Sequence, residues 1–186
     1  MGETGERHGF LSGVIEMVIT VAVAIAVALL LRTFVFEVYE VPTGSMLETI
    51  QEGDRLVGEK ITYRYSEPKQ GDIVTFSNPD GSDTTLIKRV IATGGQTVNL
   101  VDGVVYVDGV ALDEPYTLGK ASYPLDYSLT GVTMSYPYTV PEGSVWVMGD
   151  NRTNSLDSRY FGAVSVDDIT SRAVFIFWPF SYARSL

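Results

Sequence analysis

The chain contains no cysteine and a single histidine, His8, and these two shortages remove most of the familiar hydrolytic sites. Without cysteine there are no disulfides, thiolate nucleophiles or cysteine-ligated zinc. Because His8 precedes a long apolar run, we expect it across a membrane from the rest of the chain. The sequence therefore excludes a Ser-His-Asp triad and argues against a histidine-ligated metal centre.

Positive charge is also scarce, since 13 Lys and Arg stand against 23 Asp and Glu, for a net charge of −10. Nucleic-acid binding needs clustered Lys and Arg, so no nucleic-acid partner is expected. A polybasic grip on anionic lipid headgroups is disfavoured for the same reason. Any membrane contact must therefore be hydrophobic.

A long apolar run does occur, from Phe10 to Leu31, with Glu16 as its one charge. About twenty apolar residues suit a bilayer, so we expect a short tail over residues 1–9 and a transmembrane helix over residues 10–32. A cleaved signal peptide is the alternative. An uncleaved anchor is favoured because the start is not clearly basic and the small-x-small triplets lie inside the apolar run. Charge leaves the orientation open, since Arg7 on one side balances Arg32 on the other.

Beyond Arg32 the pattern is that of a β domain, which we expect to fill residues 33–186 of the 186-residue chain. Residues 34–41 alternate roughly in twos and predict a strand. Further strands are predicted at 55–57, 72–77, 85–92, 97–100, 104–107, 144–148, 163–166 and 172–178. Asp102-Gly103 and Asp108-Gly109 are turn signals that predict a hairpin. Residues 112–142 resemble a loop-rich insertion, so the predicted fold is all-β, barrel-like or sandwich-like, after one helix.

Ser45 stands out in the stretch Val41-Pro42-Thr43-Gly44-Ser45-Met46, shortly after the apolar run. It is a candidate nucleophile, although such a stretch can also be a simple turn. A serine needs a base within hydrogen-bond reach. With histidine excluded, the candidate base is a lysine.

Lys88 differs from the other three lysines because it lies in the apolar run Leu86-Ile87-Lys88-Arg89-Val90-Ile91. On a strand, Lys88 shares a face with Leu86, Val90 and Ala92. Apolar surroundings lower the pKa of an amine, and a neutral amine can act as a general base. The alternative is that Lys88 reaches solvent from an edge strand. The other lysines, which follow ordinary surface patterns, are Lys60, Lys69 and Lys120.

A third stretch, residues 149–162, is dense in short polar side chains with two arginines among carboxylates. It can be a solvated loop with local Asx turns. It would equally suit a supporting layer, in which a serine hydroxyl orients the lysine amine and Asp–Arg pairs brace the loop.

Together these stretches resemble the bacterial type I signal peptidases, which are membrane-anchored Ser-Lys proteases. The matching motifs are Gly44-Ser45-Met46, Gly53-Asp54 with Lys60, Ile87-Lys88-Arg89-Val90, and Gly149-Asp150-Asn151-Arg152 continuing to Gly162. The order of the motifs and the 43 residues from Ser45 to Lys88 agree with the family as well. Glu48 departs from it, since the family usually has proline a few residues after the serine.

The resemblance implies an all-β peptidase that cuts preprotein signal peptides after a small-x-small motif such as Ala-x-Ala. It implies a single-pass anchor in the lipid bilayer, a cytoplasmic N-terminus and an extracytoplasmic catalytic domain. It also suggests association with the secretion machinery, and it implies no cofactor.

The resemblance further implies roles for particular residues. Ser45 would be the nucleophile, Lys88 the general base, and the Ser45 N–H and the Thr43 hydroxyl the oxyanion donors. Ser155 would orient the lysine amine. The supporting pair would be Asp157 and Arg159, with Arg89, Asp150 and Arg152 as structural braces. Shallow pockets for small side chains would be lined by Val41, Met46, Ile50, Leu86 and Ile87.

Three other functions fit parts of the pattern. A self-cleaving repressor protease also uses Ser and Lys, but the anchor and the lack of a DNA-binding region argue against it. A catalytically inactive assembly factor for pili or surface proteins could keep the fold, yet Ser45 and Lys88 are both present. A generic anchored binding domain would make the 149–162 motif a coincidence.

Overall fold

The computed structural model describes residues 3–125 and 134–186, and the chain divides into two units, Met1–Phe36 and Glu37–Leu186. The first unit is the helix α1, Glu3–Phe34. Its segment Gly13–Phe34 has a mean hydropathy of 2.8 and is long and apolar enough to cross a membrane. Inside it, the Thr20 hydroxyl donates to the Glu16 carbonyl oxygen at 2.8 Å, so the helix satisfies its own polar side chain.

The second unit is built from strands, as the alternating pattern predicted. In chain order they are β1 Phe36–Glu40, β2 Arg55–Glu59, β3 Ile73–Ser77, β4 Thr85–Thr93, β5 Thr97–Val101, β6 Val104–Val107, β7 Val110–Ala111, β8 Tyr138–Thr139, β9 Ser144–Met148, β10 Val164–Ser165, β11 Ile169–Trp178 and β12 Arg184–Ser185. The one further α-helix among the described residues is the single turn α2, Ser158–Phe161. The all-β prediction with one N-terminal helix is therefore confirmed.

The strands form two sheets. The larger has the order β1-β2-β11-β3-β4-β9-β10, with β12 paired to β11, and the smaller has the order β7-β6-β5-β8. The central position of β4 in the larger sheet matters most for function. β4 pairs antiparallel with β3 on one side and β9 on the other, so residues from three parts of the chain meet along it.

The predicted hairpin is confirmed, and it is followed by a second one. Asp102-Gly103 joins β5 to β6, and Asp108-Gly109 joins β6 to β7. All four residues have positive φ, between 50° and 83°. Two consecutive positive φ values define the turn whose twist matches paired strands, and Asp-Gly is well suited to it.

The two faces of the larger sheet bury different clusters because side chains alternate along each strand. One face buries Val74, Phe76, Val90, Val145, Val147, Phe161 and Val164. The other buries two clusters. One consists of Val41, Met46, Ile50, Leu56, Ile73, Ala173 and Ile176. The other, which packs against the smaller sheet, consists of Ile91, Ala92, Val98, Leu100, Val105, Val107, Val140, Trp146 and Met148.

The prediction that Ala92 shares a face with Val90 is wrong. The pairing of β4 with β9 shifts register between Val90 and Ala92. As a result Ala92 packs beside Ile91 in the cluster under the smaller sheet, whereas Val90 lies in the opposite cluster. An irregularity of this kind breaks the alternation on which the prediction rested.

The predicted loop-rich insertion, residues 112–142, is described in part. Its described residues contain the 3₁₀ turn Pro115–Thr117 and the short strand β8, which pairs with β5. Residues 126–133 of the predicted insertion lie outside the described residues.

Candidate active site

Ser45 lies in a 3₁₀ turn, Gly44–Met46, between β1 and β2. The turn is anchored from below because Met46 and Ile50 are fully buried, and the Ile50 N–H donates to the Met46 carbonyl at 2.8 Å. A Cβ on Gly44 would lie 2.8 Å from Leu47 Cδ1 and 2.9 Å from a Glu52 oxygen, so only glycine fits without displacement. The Leu47–Glu48 peptide bond, at the departure from the family pattern, is cis.

Asn151 holds this turn against the segment that follows β9. Its backbone N–H donates to the Ser45 carbonyl at 3.0 Å, and its side-chain Nδ2 donates to the Gly44 carbonyl at 2.8 Å. Asn151 is itself buried. The serine is therefore positioned by two hydrogen bonds from a residue more than a hundred positions away in the sequence.

Lys88 lies on β4, opposite Val74 of β3. Because Arg89 pairs with Met148 at the end of β9, Gly149 comes next to Lys88 on the other side. The Lys88 side chain is 2 % exposed, and Nζ donates to Ser45 Oγ at 2.9 Å and to the Ile87 carbonyl at 2.8 Å. The sequence prediction that this lysine meets Ser45 thus has a direct counterpart in the geometry.

The environment of Lys88 favours the neutral amine. Burial lowers the pKa of Lys88 from its ordinary value of 10.5 to about 8, although the negative charges of Asp157 and Asp150 oppose the shift. Burial acts in this direction because a charged amine loses its hydration inside the protein. A substantial fraction of the amine is then neutral near pH 8 and able to accept a proton from the serine hydroxyl.

Asp157 and Arg159 form a buried pair directly after this region. The Asp157 carboxylate accepts from Arg159 Nε at 2.9 Å and caps α2 by accepting from the Arg159 backbone N–H. Its other oxygen accepts from the Gly149 N–H at 3.1 Å, while Arg159 donates to the Arg152 carbonyl at 2.7 Å. The pair therefore ties both ends of the Gly149–Arg152 segment to α2.

Asp150 and Arg89 form a second pair, in which Asp150 is fully buried and Arg89 is half-buried. Arg89 donates through Nε and a terminal nitrogen to the two Asp150 oxygens, at 2.8 and 2.7 Å. Such two-point geometry fixes direction as well as distance. Thr49 also donates to Asp150, so the carboxylate links the strand that carries Lys88 to the turn that carries Ser45.

Arg152 connects the site to the start of the predicted insertion. Its Nε donates to the Gly149 carbonyl at 3.1 Å, and its terminal nitrogens donate to both Glu114 oxygens and to the Ser122 hydroxyl. Tyr116 donates to Glu114 at 2.9 Å. Residues 114–122 thus brace Arg152 from outside the motif regions.

Ser155 lies next to Gly149. A Cβ on Gly149 would fall 2.2 Å from Ser155 Oγ and 2.5 Å from the Ser45 carbonyl oxygen, so Ser155, Gly149 and Ser45 are packed together. Ser155 Oγ is buried and has no hydrogen-bond partner among the described residues. The Lys88 amine makes its hydrogen bonds to Ser45 and Ile87 rather than to Ser155.

Thr43 immediately precedes the turn and is exposed, with an extended backbone and no capping hydrogen bond from its side chain. Its hydroxyl is therefore not used to hold the turn.

The residues expected to line pockets separate into two groups. Val41, Leu86 and Ile87 line a small depression of about 40 Å³, together with Tyr39, Glu40, Pro42, Leu56, Thr75 and Thr85. Met46 and Ile50 are fully buried in the cluster beneath the serine turn and do not line this depression. They anchor the turn because their side chains pack downward into the core.

Several residues of the site have no distinguishing signal in the sequence. Glu114 and Tyr116 lie in the predicted insertion, and Thr49 lies in what resembles an ordinary turn. Asn151 belongs to the third motif but had no predicted role. No group of three or more His, Cys, Asp or Glu residues that could hold a metal ion occurs within residues 3–125 and 134–186.

Comparison with known proteins shows which family this chain resembles. The family model for signal peptidase, peptidase S26, matches residues 14–178. A probable signal peptidase I-1 of Synechocystis sp. is 45 % identical over 160 residues, which are 82 % of this chain and 76 % of the relative. Signal peptidase I of Leptolyngbya laminosa is 39 % identical over 176 residues, which are 90 % of this chain and 81 % of that relative. A crystal structure of a signal peptidase I from Enterococcus faecalis is 34 % identical to this chain and matches it with a TM-score of 0.47. The match covers 57 % of this chain and 97 % of the chain in that structure.

These matches and the apolar helix define a membrane-anchored serine endopeptidase. More narrowly, the chain belongs to the signal peptidase family, peptidase S26.

Proposed function

We propose that this protein removes signal peptides from exported preproteins with Ser45 as nucleophile and Lys88 as general base, cutting after a small-x-small motif such as Ala-x-Ala. The observation that carries the proposal is the 2.9 Å approach of the buried Lys88 amine to Ser45 Oγ. Burial has lowered the pKa of that amine to about 8, so it can serve as a base near neutral pH.

In the first half of the reaction, the neutral Lys88 amine accepts the Ser45 hydroxyl proton as Oγ attacks the scissile carbonyl carbon. The carbonyl oxygen becomes an oxyanion, which needs donors already in position. The Ser45 backbone N–H and the Thr43 hydroxyl are the proposed donors, and the exposed Thr43 side chain is not engaged in capping the turn. The Lys88 ammonium then gives its proton to the leaving amine as the C–N bond breaks, which leaves the signal peptide esterified to Ser45.

In the second half, the amine, neutral again, accepts a proton from a water molecule as that water attacks the ester. The tetrahedral intermediate collapses, Lys88 returns the proton to Ser45 Oγ, and the signal peptide leaves with a new carboxylate. One lysine therefore serves as base and acid in both halves. Its lowered pKa suits both roles because the proton must move in each direction at the same pH.

The neighbouring polar residues would hold Ser45 and Lys88 in position. Asp157 with Arg159 and Asp150 with Arg89 hold the segment beside Lys88, and Arg152 holds the Gly149 carbonyl. Ser155, whose buried hydroxyl lacks a partner among the described residues, is available to take the lysine amine when the amine turns away from Ser45. Preorganisation of this kind is what allows a weak base and a weak nucleophile to react.

The small depression supports the choice of substrate. Its volume of about 40 Å³ is close to the space of a single small side chain, and its walls include Val41, Leu86 and Ile87. A methyl group gains apolar contact there, whereas a larger side chain would have to displace core residues.

We further propose that α1 crosses the lipid bilayer with its N-terminus cytoplasmic and the β domain extracytoplasmic, where exported preproteins emerge. Association with the secretion machinery would bring these substrates to the anchor. The apolar segment Gly13–Phe34 supports membrane insertion by its length and hydropathy.

A pH–rate profile on a peptide with an Ala-x-Ala site tests the proposed chemistry. Because the neutral amine is the base, kcat/KM should rise as pH increases through about 8 and fall below it. A profile that is flat from pH 5 to 9 would rule out Lys88 as the base.

A further inference from the structure

Four hydroxyl groups cluster in the β domain, contributed by the half-buried Tyr39 of β1, the buried Thr75 of β3, and the exposed Thr170 and buried Ser171 of β11. Thr75 Oγ1 is 2.7 Å from Ser171 Oγ and 2.8 Å from Thr170 Oγ1. Ser171 Oγ and Thr75 Oγ1 each lie 3.3 Å from the Tyr39 hydroxyl. Thr75 and Ser171 are each only 1 % exposed, so these groups find their partners in one another.

Gly58 on β2 allows the cluster to close. A Cβ at Gly58 would lie 2.1 Å from Ser171 Oγ and 2.7 Å from the Tyr39 ring. Any side chain there would push the tyrosine or the serine out of hydrogen-bond range. The cluster is thus a built feature of this fold, formed by three strands around a position that only glycine can occupy.

The cluster borders the small depression defined above. Tyr39 and Thr75 belong to its lining, as do residues 40–42 of the chain segment that leads to Ser45. The depression therefore has apolar walls, formed by residues such as Leu86 and Ile87, and a polar side, where Thr75 and Tyr39 lead to the buried hydroxyls.

Counting protons and lone pairs shows what such a cluster can bind. Each hydroxyl supplies one proton and two lone pairs. The Thr170 proton is directed to the Thr75 carbonyl at 3.1 Å, so at most three protons are shared among the four oxygens. The oxygens therefore have more lone pairs than the cluster can fill. An additional hydroxyl proton entering from the depression would find an acceptor.

We propose that Thr75 is a specificity-determining residue, through which the small depression accepts a small hydroxyl side chain of the substrate, such as serine, by hydrogen bonding to this cluster. The inference rests on the proposed function, since it assumes that the depression receives one of the two small side chains before the cleaved bond. It adds that the polar side of the depression favours a serine over an apolar side chain of equal size.

The test compares substrates that differ only in one group. Full-length enzyme in mild detergent is given peptides with alanine, serine or α-aminobutyrate at each of the two small positions in turn. Serine and α-aminobutyrate have the same shape, and only the first can donate a hydrogen bond. The wild type should favour serine over α-aminobutyrate in kcat/KM at one position, the one that enters the depression.

Thr75→Val should lower the serine-to-α-aminobutyrate ratio at that position by about three- to tenfold, the range expected for one net hydrogen bond. The matched control is Thr85→Val, because Thr85 also lines the depression and contributes no hydroxyl to the cluster. That ratio should keep its wild-type value in Thr85→Val and in Thr75→Ser, which restores the hydroxyl.

A wild-type ratio of one at both positions overturns the inference, as does an unchanged ratio in Thr75→Val or a fall in Thr85→Val instead. If Thr75→Val fails to fold, Tyr39→Phe removes the other cluster hydroxyl at the depression, and the same ratio is measured. The alanine peptide separates the two claims. If the wild type does not cut this peptide, the proposed function fails. If the wild type cuts it and the serine-to-α-aminobutyrate ratio is unchanged in Thr75→Val, only the present inference fails.

Discussion

We compare the free energy of unfolding of the β domain in the Lys88→Met variant and in the wild type. The value for the variant minus that for the wild type should be larger at neutral pH than at alkaline pH. The wild-type lysine is 2 % exposed, and burial lowers its pKa from 10.5 to about 8. Between these two pH values the unfolded chain holds a proton that the folded protein has released. Stability of the wild type therefore increases with pH through this window, and below about 8 the full penalty of the buried charge applies.

The magnitude follows from the two pKa values. Each pKa unit corresponds to about 1.4 kcal/mol, so the change from 10.5 to about 8 destabilises the wild type by about 3 kcal/mol at pH 7. At pH 9.5 the folded amine is neutral, the unfolded one is still mostly charged, and about 1.4 kcal/mol of the penalty remains. The stability difference between Lys88→Met and wild type should thus shrink by about 2 kcal/mol from pH 7 to 9.5.

Urea unfolding of the full chain in mild detergent measures this difference. Both tryptophans lie in β strands, and the buried Trp146 makes fluorescence a reporter of this domain. The hydrogen bonds that Lys88 makes to Ser45 and Ile87 are lost in the variant, but that loss cancels when the two pH values are compared. Lys69→Met, at an exposed lysine, controls for removal of one positive charge. A difference that stays constant within about 0.5 kcal/mol would refute the argument that burial has shifted this amine.

Three further predictions concern Gly149, the Glu114–Arg152 pair and the N-terminal helix. Gly149→Ala should lower kcat on an Ala-x-Ala peptide by about a hundredfold, because the new methyl collides with Ser155 Oγ and displaces the reacting groups. Glu114→Gln should reduce the free energy of unfolding by about 3–5 kcal/mol, measured by urea titration, because it leaves the Arg152 guanidinium without its buried partner. Removal of residues 1–32 should weaken cleavage of membrane-held preproteins more than cleavage of soluble peptides, because tethering raises the local concentration of enzyme at the membrane.

The control variant for Glu114→Gln is Glu40→Gln. This change breaks the exposed pair of Glu40 with Arg55 (side chains 65 % and 51 % exposed), and it should change the free energy of unfolding by less than about 1 kcal/mol. Equal losses in the two variants would contradict a buried role for Glu114. Gly149→Ala with near-normal kcat would mean that the packing around Ser155 is not needed. Equal losses on both substrate types after removal of residues 1–32 would count against the anchor as a tether.

The sequence predicted best where a pattern was both periodic and bounded. Strands β6 and β9 have the predicted limits, because turn residues or prolines delimit their alternating side chains. The short strands β7, β8 and β12 were missed, since a two-residue strand depends on its partner rather than on its own pattern. The first strand begins at Phe36 rather than residue 34, because the apolar helix continues through Phe34.

For the site, the residue types in the sequence indicated the candidate catalytic residues. The sequence did not predict the contacts between segments that are far apart in the chain. The absence of other bases led to Lys88, and the apolar residues that flank it in the sequence indicated its burial. By contrast, the contacts from Glu114 to Arg152 and from Asn151 to Gly44 join distant segments, and neither residue stands out in its local pattern. The division of the pocket residues could not be predicted either, because Val41 and Met46 are equally apolar and only the turn decides which one faces the depression.

Ser45 and Lys88 are proposed to act together in cutting preproteins after a small-x-small motif. Cleavage of a preprotein with an Ala-x-Ala site in detergent can be compared for wild type, Ser45→Ala and Lys88→Met, with folding of each checked by tryptophan fluorescence. We predict that the wild type cuts after that motif and that both folded variants are inactive. A folded wild type that does not cut, or a Lys88→Met variant that cuts at the wild-type rate, would contradict the account. The first of these outcomes would instead favour an inactive, signal-peptidase-like assembly factor.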